Sequence, residues 1–63
     1  MNKERRFILN DMVCELEGLI NGEQKALDNT PKSFRSSTRF LWMAEGIRSL
    51  KSAKGYIEEA LDY

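Results

Sequence analysis

The sequence predicts an all-α protein, an antiparallel helical hairpin with helices over about residues 4–28 and 37–61. Apolar residues recur at alternating spacings of three and four in both halves, the heptad pattern of helices that pack along a seam. A polar segment with the only proline separates the halves, and no strand-like alternation competes with the heptads. A chain of 63 residues allows one domain, spanning 1–63.

The first helix is predicted from a stripe of heptad positions, which consists of Leu9, Met12, Leu16, Leu19, Glu23 and Ala26. Three apolar residues at intervals of seven widen this stripe: Val13, Ile20 and Leu27. Proline disfavours helix at the residue before it, so the helix should end near Asp28 or Asn29. Thr30 is then expected to cap a short turn that has Pro31 as its first residue.

The second helix follows a serine N-cap, Ser36 or Ser37, and has its own heptad stripe. That stripe consists of Phe40, Met43, Ile47, Leu50, Lys54, Ile57 and Leu61. Folding at the loop pairs Ile20 with Ile47 and brings Lys54 near Val13. Two helices alone leave one flank of each stripe in water, so we expect further hairpins to cover them.

The predicted oligomer interface combines the stripes with small residues on the helices. Its residues are Leu9, Met12, Leu16, Gly18, Leu19, Gly22, Glu23, Met43, Gly46, Ile47, Leu50, Lys54 and Ile57. Two charged residues, Glu23 and Lys54, occupy heptad positions. They either specify the register and orientation of the packed helices or place their charged groups in solvent at the rim of the interface. The glycines either permit close backbone approach between helices or are tolerated at about 1 kcal/mol each.

The composition argues against catalysis. There is no histidine and only one cysteine, which excludes serine–histidine and cysteine–histidine nucleophiles, a disulfide within the chain and a structural zinc site. We therefore expect no enzymatic activity and no cofactor, with Cys14 as a small buried hydrophobe. The formal net charge of +0 makes DNA an unexpected partner. The lone thiol and the lack of a spanning apolar run predict a cytoplasmic protein without a membrane partner.

One segment has the chemistry of a binding site. The loop and the start of the second helix combine cations, hydroxyls and aromatic rings, and the candidate contacts are Lys32, Phe34, Arg35, Ser37, Arg39 and Trp42. Arginines can grip phosphate while an aromatic ring stacks on a base, and the first N–H groups of a helix favour anions. The alternatives are a solvated connection for the loop and burial against a second hairpin for Trp42.

Several residues of the loop and the second helix resemble a class of short phage and prophage proteins. The residues that carry the resemblance are 23–31, Phe34, Ser37, Arg39, Phe40, Ile47, Leu50, Ala53, Ile57 and Ala60. They reproduce an Asp-Asn-x-Pro turn, a Ser-x-Arg start of the second helix and Leu-x-x-Ala repeats. This chain departs from the class around the loop, where Lys32, Arg35 and Trp42 are unusual.

The resemblance implies a phage origin and action in the cytoplasm of a bacterial host. The leading expectation is a non-enzymatic counter-defence protein that acts stoichiometrically, by binding a host defence protein or by sequestering its nucleotide-like signal. The alternative expectation is a structural or assembly accessory protein that mainly self-associates. In both cases the chain is its own partner, in a homo-oligomer that is at least a dimer.

Overall fold

The computed structural model describes all 63 residues as two long helices that pack against each other as an antiparallel hairpin. Helix α1 spans Lys3–Asp28, a short 3-10 turn spans Lys32–Phe34, helix α2 spans Thr38–Leu61, and there is no strand. The predicted all-α hairpin is confirmed, with helix bounds that agree to within one residue. The Cα atoms extend over 49 × 15 × 12 Å, so the molecule is a narrow rod.

Helix α1 begins and ends where local hydrogen bonds satisfy its terminal groups. The Asn2 side chain accepts a hydrogen bond from the Arg5 N–H at 2.9 Å, as N-cap residues do. At the other end, the Thr30 hydroxyl donates to the Ala26 carbonyl at 3.1 Å. The prediction that Thr30 caps the following turn is therefore wrong, because its side chain instead satisfies a free carbonyl of α1 and Pro31 precedes the turn without a side-chain cap.

Helix α2 begins at the predicted serine. Of the two candidates, Ser37 is the N-cap, and its hydroxyl accepts a hydrogen bond from the Phe40 N–H at 3.2 Å. The Ser37 carbonyl also accepts from the Leu41 N–H, which closes the first helical turn. The helix ends at Leu61, followed by the C-cap Asp62.

The core is a thin seam between the two helices. Only Val13, Ile20 and Ile47 are buried. The half-buried apolar residues that extend this seam are Leu9, Leu16, Leu27, Phe40, Met43, Leu50, Ile57 and Leu61. A core of three buried residues is small even for a chain of this length, in which burial is limited by the surface-to-volume ratio.

The seam on α1 differs from the predicted one. It follows Leu9 and Leu16 together with the residues that were expected only to widen the stripe, among them Val13 and Ile20. Its predicted members Met12, Leu19, Glu23 and Ala26 are exposed. Helix α1 carries two overlapping apolar stripes about a quarter-turn apart, and the one with the β-branched residues contacts α2.

Polar contacts fix the register of the hairpin. The Lys54 ammonium lies 3.2 Å from the Glu17 carboxylate across the seam and 3.9 Å from Glu58 on its own helix. At the open end, the Arg6 guanidinium donates to the Leu61 carbonyl. The Lys54 side chain thus reaches acidic partners at the rim of the seam, which is one of the two roles that the sequence left open for it.

Candidate functional site

The predicted binding segment forms one wall of a cavity at the loop end of the hairpin. The cavity has a volume of about 360 Å³ and is lined by Thr30, Phe34, Ser37, Arg39, Phe40 and Met43. It lies at the first turn of α2, where backbone N–H groups have no partner within the helix. The lining thus combines an apolar floor with one cation and a helix start, an arrangement suited to a planar or apolar group that carries negative charge.

The structure brings three of the six predicted contacts into this cavity: Phe34, Ser37 and Arg39. Phe34 is exposed, and Arg39 is an exposed residue that forms no salt bridge within the chain. Ser37 has its hydroxyl engaged with the Phe40 N–H, so its role at the cavity is to hold the helix start in place.

Arg35 is bound to the chain itself. Its Nε donates to the Thr30 carbonyl at 3.1 Å and its Nη2 donates to the Asp28 carbonyl at 3.4 Å. These acceptors lie at and just beyond the C-terminus of α1, where a cation is favoured by the helix dipole. Arg35 therefore stabilises the connection between the helices, and its donors are not turned toward the cavity.

The other two predicted contacts, Lys32 and Trp42, are exposed and lie outside the cavity lining. Trp42 is 72% exposed, among the most exposed apolar side chains of the chain. The sequence prediction missed three lining residues. Thr30 was assigned to a cap, whereas Phe40 and Met43 were assigned to the seam, although both recur at helical spacing after Ser37 and so share its side of α2.

The two broad sides of the hairpin differ in chemistry. On one side a groove is lined mainly by polar residues, namely Glu17, Ile20, Asn21, Lys51, Lys54 and Glu58. Four of these side chains belong to residues that directly follow a seam residue: Glu17, Asn21, Lys51 and Glu58. We call this side the polar face.

Residues that directly precede a seam residue lie on the opposite side, because each step along a helix turns by about 100°. They include Ile8, Met12 and Leu19 on α1 and Trp42, Gly46 and Ala53 on α2, and we call this side the apolar face. All six are exposed, with Ile8 at 55%, Leu19 at 60% and Trp42 at 72%. The large apolar side chains of this face are thus left without cover by the hairpin itself. Phe7 and Leu41, which directly follow seam positions and so lie on the polar face, are exposed as well.

The residues of the predicted oligomer interface divide among three locations. Those in the seam within the hairpin are Leu9, Leu16, Met43, Ile47, Leu50, Lys54 and Ile57, and those on the apolar face are Met12, Leu19, Glu23 and Gly46. Gly18 and Gly22 project from α1 away from α2. A Cβ added at Gly18, Gly22 or Gly46 would meet no atom within 4 Å, so the hairpin itself does not require these glycines for close packing.

Cys14 is exposed, and the expectation of a small buried hydrophobe is wrong. It follows the seam residue Val13 directly, so the helical turn carries its thiol toward the polar face rather than into the seam. No group of three or more acidic or thiol side chains is arranged to hold a metal ion.

Comparisons with known proteins return no relative. Neither α1 nor α2 has the length and hydropathy that a bilayer crossing requires. No protein-family model, curated protein or solved structure matches the chain.

Proposed function

We propose that the protein acts without catalysis, as a self-associating helical hairpin that binds a further partner at its loop end. The observation that carries the proposal is the ratio of exposed to buried apolar side chains. Ten large hydrophobic residues are exposed, between 47% and 84%, whereas only three residues are buried. Several of these side chains, among them Ile8, Leu19 and Trp42, share the apolar face. A large exposed apolar patch on a small protein marks a site of interaction with another macromolecule.

The proposed biological role is phage counter-defence, in which the protein binds a host defence protein or sequesters its nucleotide-like signal. The resemblance to short phage proteins supports this role. The loop-end cavity supports it as well, because Arg39 offers a cation beside the exposed ring of Phe34. A charge-assisted contact to phosphate or carboxylate together with ring stacking is the chemistry that a nucleotide-like ligand needs.

Two substitutions at the cavity and one beside it test the proposed site. Arg39→Ala and Phe34→Ala should abolish any captured ligand or target, measured by native mass spectrometry and by pull-down from bacterial lysate, without loss of helicity. Arg35→Ala is the matched control, since it removes a nearby arginine that is engaged by the Asp28 and Thr30 carbonyls. Retention of binding in the first two variants would refute the assignment of the cavity.

Phage plating on bacteria that carry intact defences separates the proposed role from the second candidate. A counter-defence protein raises the plating efficiency when it is produced in the host, and Arg39→Ala abolishes this effect. The exposed side chains of the apolar face favour the second candidate, an assembly protein whose main partner is itself. That protein would leave plating unchanged while still forming oligomers.

A further inference from the structure

We infer that the apolar face is covered by the same face of a second copy, in an antiparallel dimer with the two loops at opposite ends. This inference deepens the self-association in the proposed function and rests on it. It specifies which face is used, which way the copies run and which residues meet.

The size of the face fits a stable interface. The hairpin is 49 Å long and 15 Å wide, so one broad side projects an area of roughly 700 Å². A stable protein interface covers about 800 Å² on each partner. One face of this rod is therefore large enough for a dimer, and its large side chains Ile8, Met12 and Leu19 lie in a single row along α1.

The charges at the two ends of the face select the orientation. On α1, Glu15, Arg5 and Glu23 directly precede seam positions and so lie on the apolar face, and none of them forms a salt bridge within the chain. Glu15 lies at the centre of this row, and Arg5 and Glu23 lie near its ends. Arg5 and Glu23 are separated by about 27 Å along α1, at 1.5 Å per residue. In an antiparallel dimer each Arg5 can meet Glu23 of the second copy, which forms two equivalent ion pairs. In a parallel two-fold dimer α1 faces α2 of the second copy instead, so Arg5 of one chain does not meet Glu23 of the other.

The small residues of α2 indicate the same symmetry axis. Gly46, Ala53 and Ala60 repeat at intervals of seven on this face, so a two-fold axis at Ala53 places Gly46 opposite Ala60 of the second copy. The contact between Arg6 and Leu61 aligns the two helices of the hairpin, and it puts Ala53 level with Cys14 on α1. Position 14 is also the midpoint between Arg5 and Glu23, so one axis satisfies both patterns.

Trp42 completes the contact at the ends of the dimer. The same two-fold axis places the exposed indole of Trp42 at the open end of the second copy, which is the end opposite the loop. A cavity there is lined by Met1, Arg5, Ile8 and Leu9. The apolar lining and the guanidinium beside it suit an aromatic ring, which gains both burial and a cation–π contact.

The distance between two nitroxide spin labels, measured by pulsed electron paramagnetic resonance, tests the orientation directly. A nitroxide at Ser33→Cys, in a Cys14→Ser background, places one spin at each loop, away from the proposed interface. In the antiparallel dimer the two loops lie on opposite sides of the axis, and we expect a distance on the order of 55 Å from the helical rise. A distance below about 25 Å would overturn the antiparallel arrangement and leave self-association intact, since neighbouring helices lie 8–10 Å apart. Absence of dipolar coupling at high protein concentration would overturn self-association itself.

A charge exchange provides the second test. Arg5→Glu and Glu23→Arg should each raise the dimer dissociation constant by about tenfold, because each creates two like-charged pairs. In the double variant, the dimer dissociation constant should return to within about threefold of the value for the unmodified protein. Lys25→Glu, on the polar-face side of the same helix, should leave the dissociation constant unchanged. Two single variants without effect, or a double variant as weak as the singles, would overturn the predicted pairing.

Trp42 is tested against its neighbour in the chain. Trp42→Ala should raise the dimer dissociation constant by at least about 30-fold, as loss of an aromatic side chain that fills a pocket of the partner does. Leu41→Ala removes an apolar side chain that is 55% exposed but lies away from the apolar face, and it should have no such effect. Equal effects of the two substitutions would refute the placement of Trp42 in the interface.

Discussion

At the scale of single residues, the start of α2 depends on one hydroxyl. Ser37 accepts a hydrogen bond from the Phe40 N–H, whereas its neighbour Ser36 forms no side-chain hydrogen bond. We predict that Ser37→Ala lowers the free energy of unfolding by about 1 kcal/mol, the usual contribution of an N-cap. Urea denaturation measures the change, with Ser36→Ala as the control. An equal loss in both variants would show that the cap assignment is wrong.

The most buried side chain of the chain is Ile47, at 4% exposure. Its truncation leaves a cavity in a core that has only two other buried residues, so there is little other packing to compensate. Ile47→Ala should therefore cost about 3 kcal/mol or more, enough to unfold much of a small protein at room temperature. Circular dichroism and urea denaturation report the loss. A cost below about 1 kcal/mol, comparable to a surface change, would mean that the seam contributes little to stability.

Sequence alone could identify caps and core positions at this scale, but not the role of each cation in the loop. Arg35 and Arg39 are equivalent in the sequence pattern, being two arginines in one polar segment. Only the folded connection shows that Arg35 is engaged by the carbonyls of Asp28 and Thr30 while Arg39 lines the cavity. The difference depends on the path of the loop, which propensity and spacing do not specify.

At the scale of the helices, glycines in exposed positions limit helix stability. A Cβ at Gly18 meets no atom within 4 Å, and the residue projects away from α2. Gly18→Ala should stabilise the protein by about 1 kcal/mol, since alanine is the better helix former. Thermal denaturation would show a higher melting temperature. A destabilised variant would reveal a close contact with another copy on this outer side of α1.

Gly46 provides the contrast, because it lies on the apolar face. A Cβ there is free of contacts within the hairpin, so Gly46→Ala should also stabilise the isolated helix. In the proposed dimer, however, the added methyl group faces Ala60 of the second copy at close range, and the dimer should dissociate more readily. Sedimentation measures the dissociation constant and denaturation measures the fold. A variant that dimerises as tightly as the original protein would contradict close packing at this position.

The boundaries of both helices follow from sequence, since Pro31 and the serine N-cap are strong local signals. The choice of contact stripe on α1 does not. Met12 and Leu19 satisfy the heptad spacing as well as Val13 and Ile20 do, and they differ by about a quarter-turn. Which stripe meets α2 depends on the tertiary fit of the two helices, and the stripe left outside becomes the apolar face.

At the scale of the whole molecule, the hairpin is a rod whose two broad sides differ in chemistry, with more large exposed apolar side chains on the apolar face than on the polar face. Its core contains three buried residues, and the chain has one exposed cysteine and no disulfide. Chains of this size usually need a disulfide, a metal or a partner for stability. The proposed association with a second copy would supply stabilisation of this kind.

If folding and association are coupled in this way, stability depends on protein concentration. We predict that the melting temperature rises with protein concentration, because only folded chains associate into the dimer. Thermal unfolding followed by circular dichroism at several concentrations tests this dependence. Arg5→Glu, which weakens the proposed dimer, serves as the comparison and should lower the melting temperature at each concentration. A melting temperature that is independent of concentration would indicate that the hairpin is stable alone.

Sedimentation equilibrium of the unmodified protein is the most direct measurement of self-association, on which the rest depends. The chain has a mass of 7.3 kDa, and we predict a species of twice that mass that dissociates on dilution. The Trp42→Ala protein should shift toward the single-chain mass under the same conditions. A mass of 7.3 kDa at every concentration of the unmodified protein would contradict the account, because the apolar face would then remain open to water.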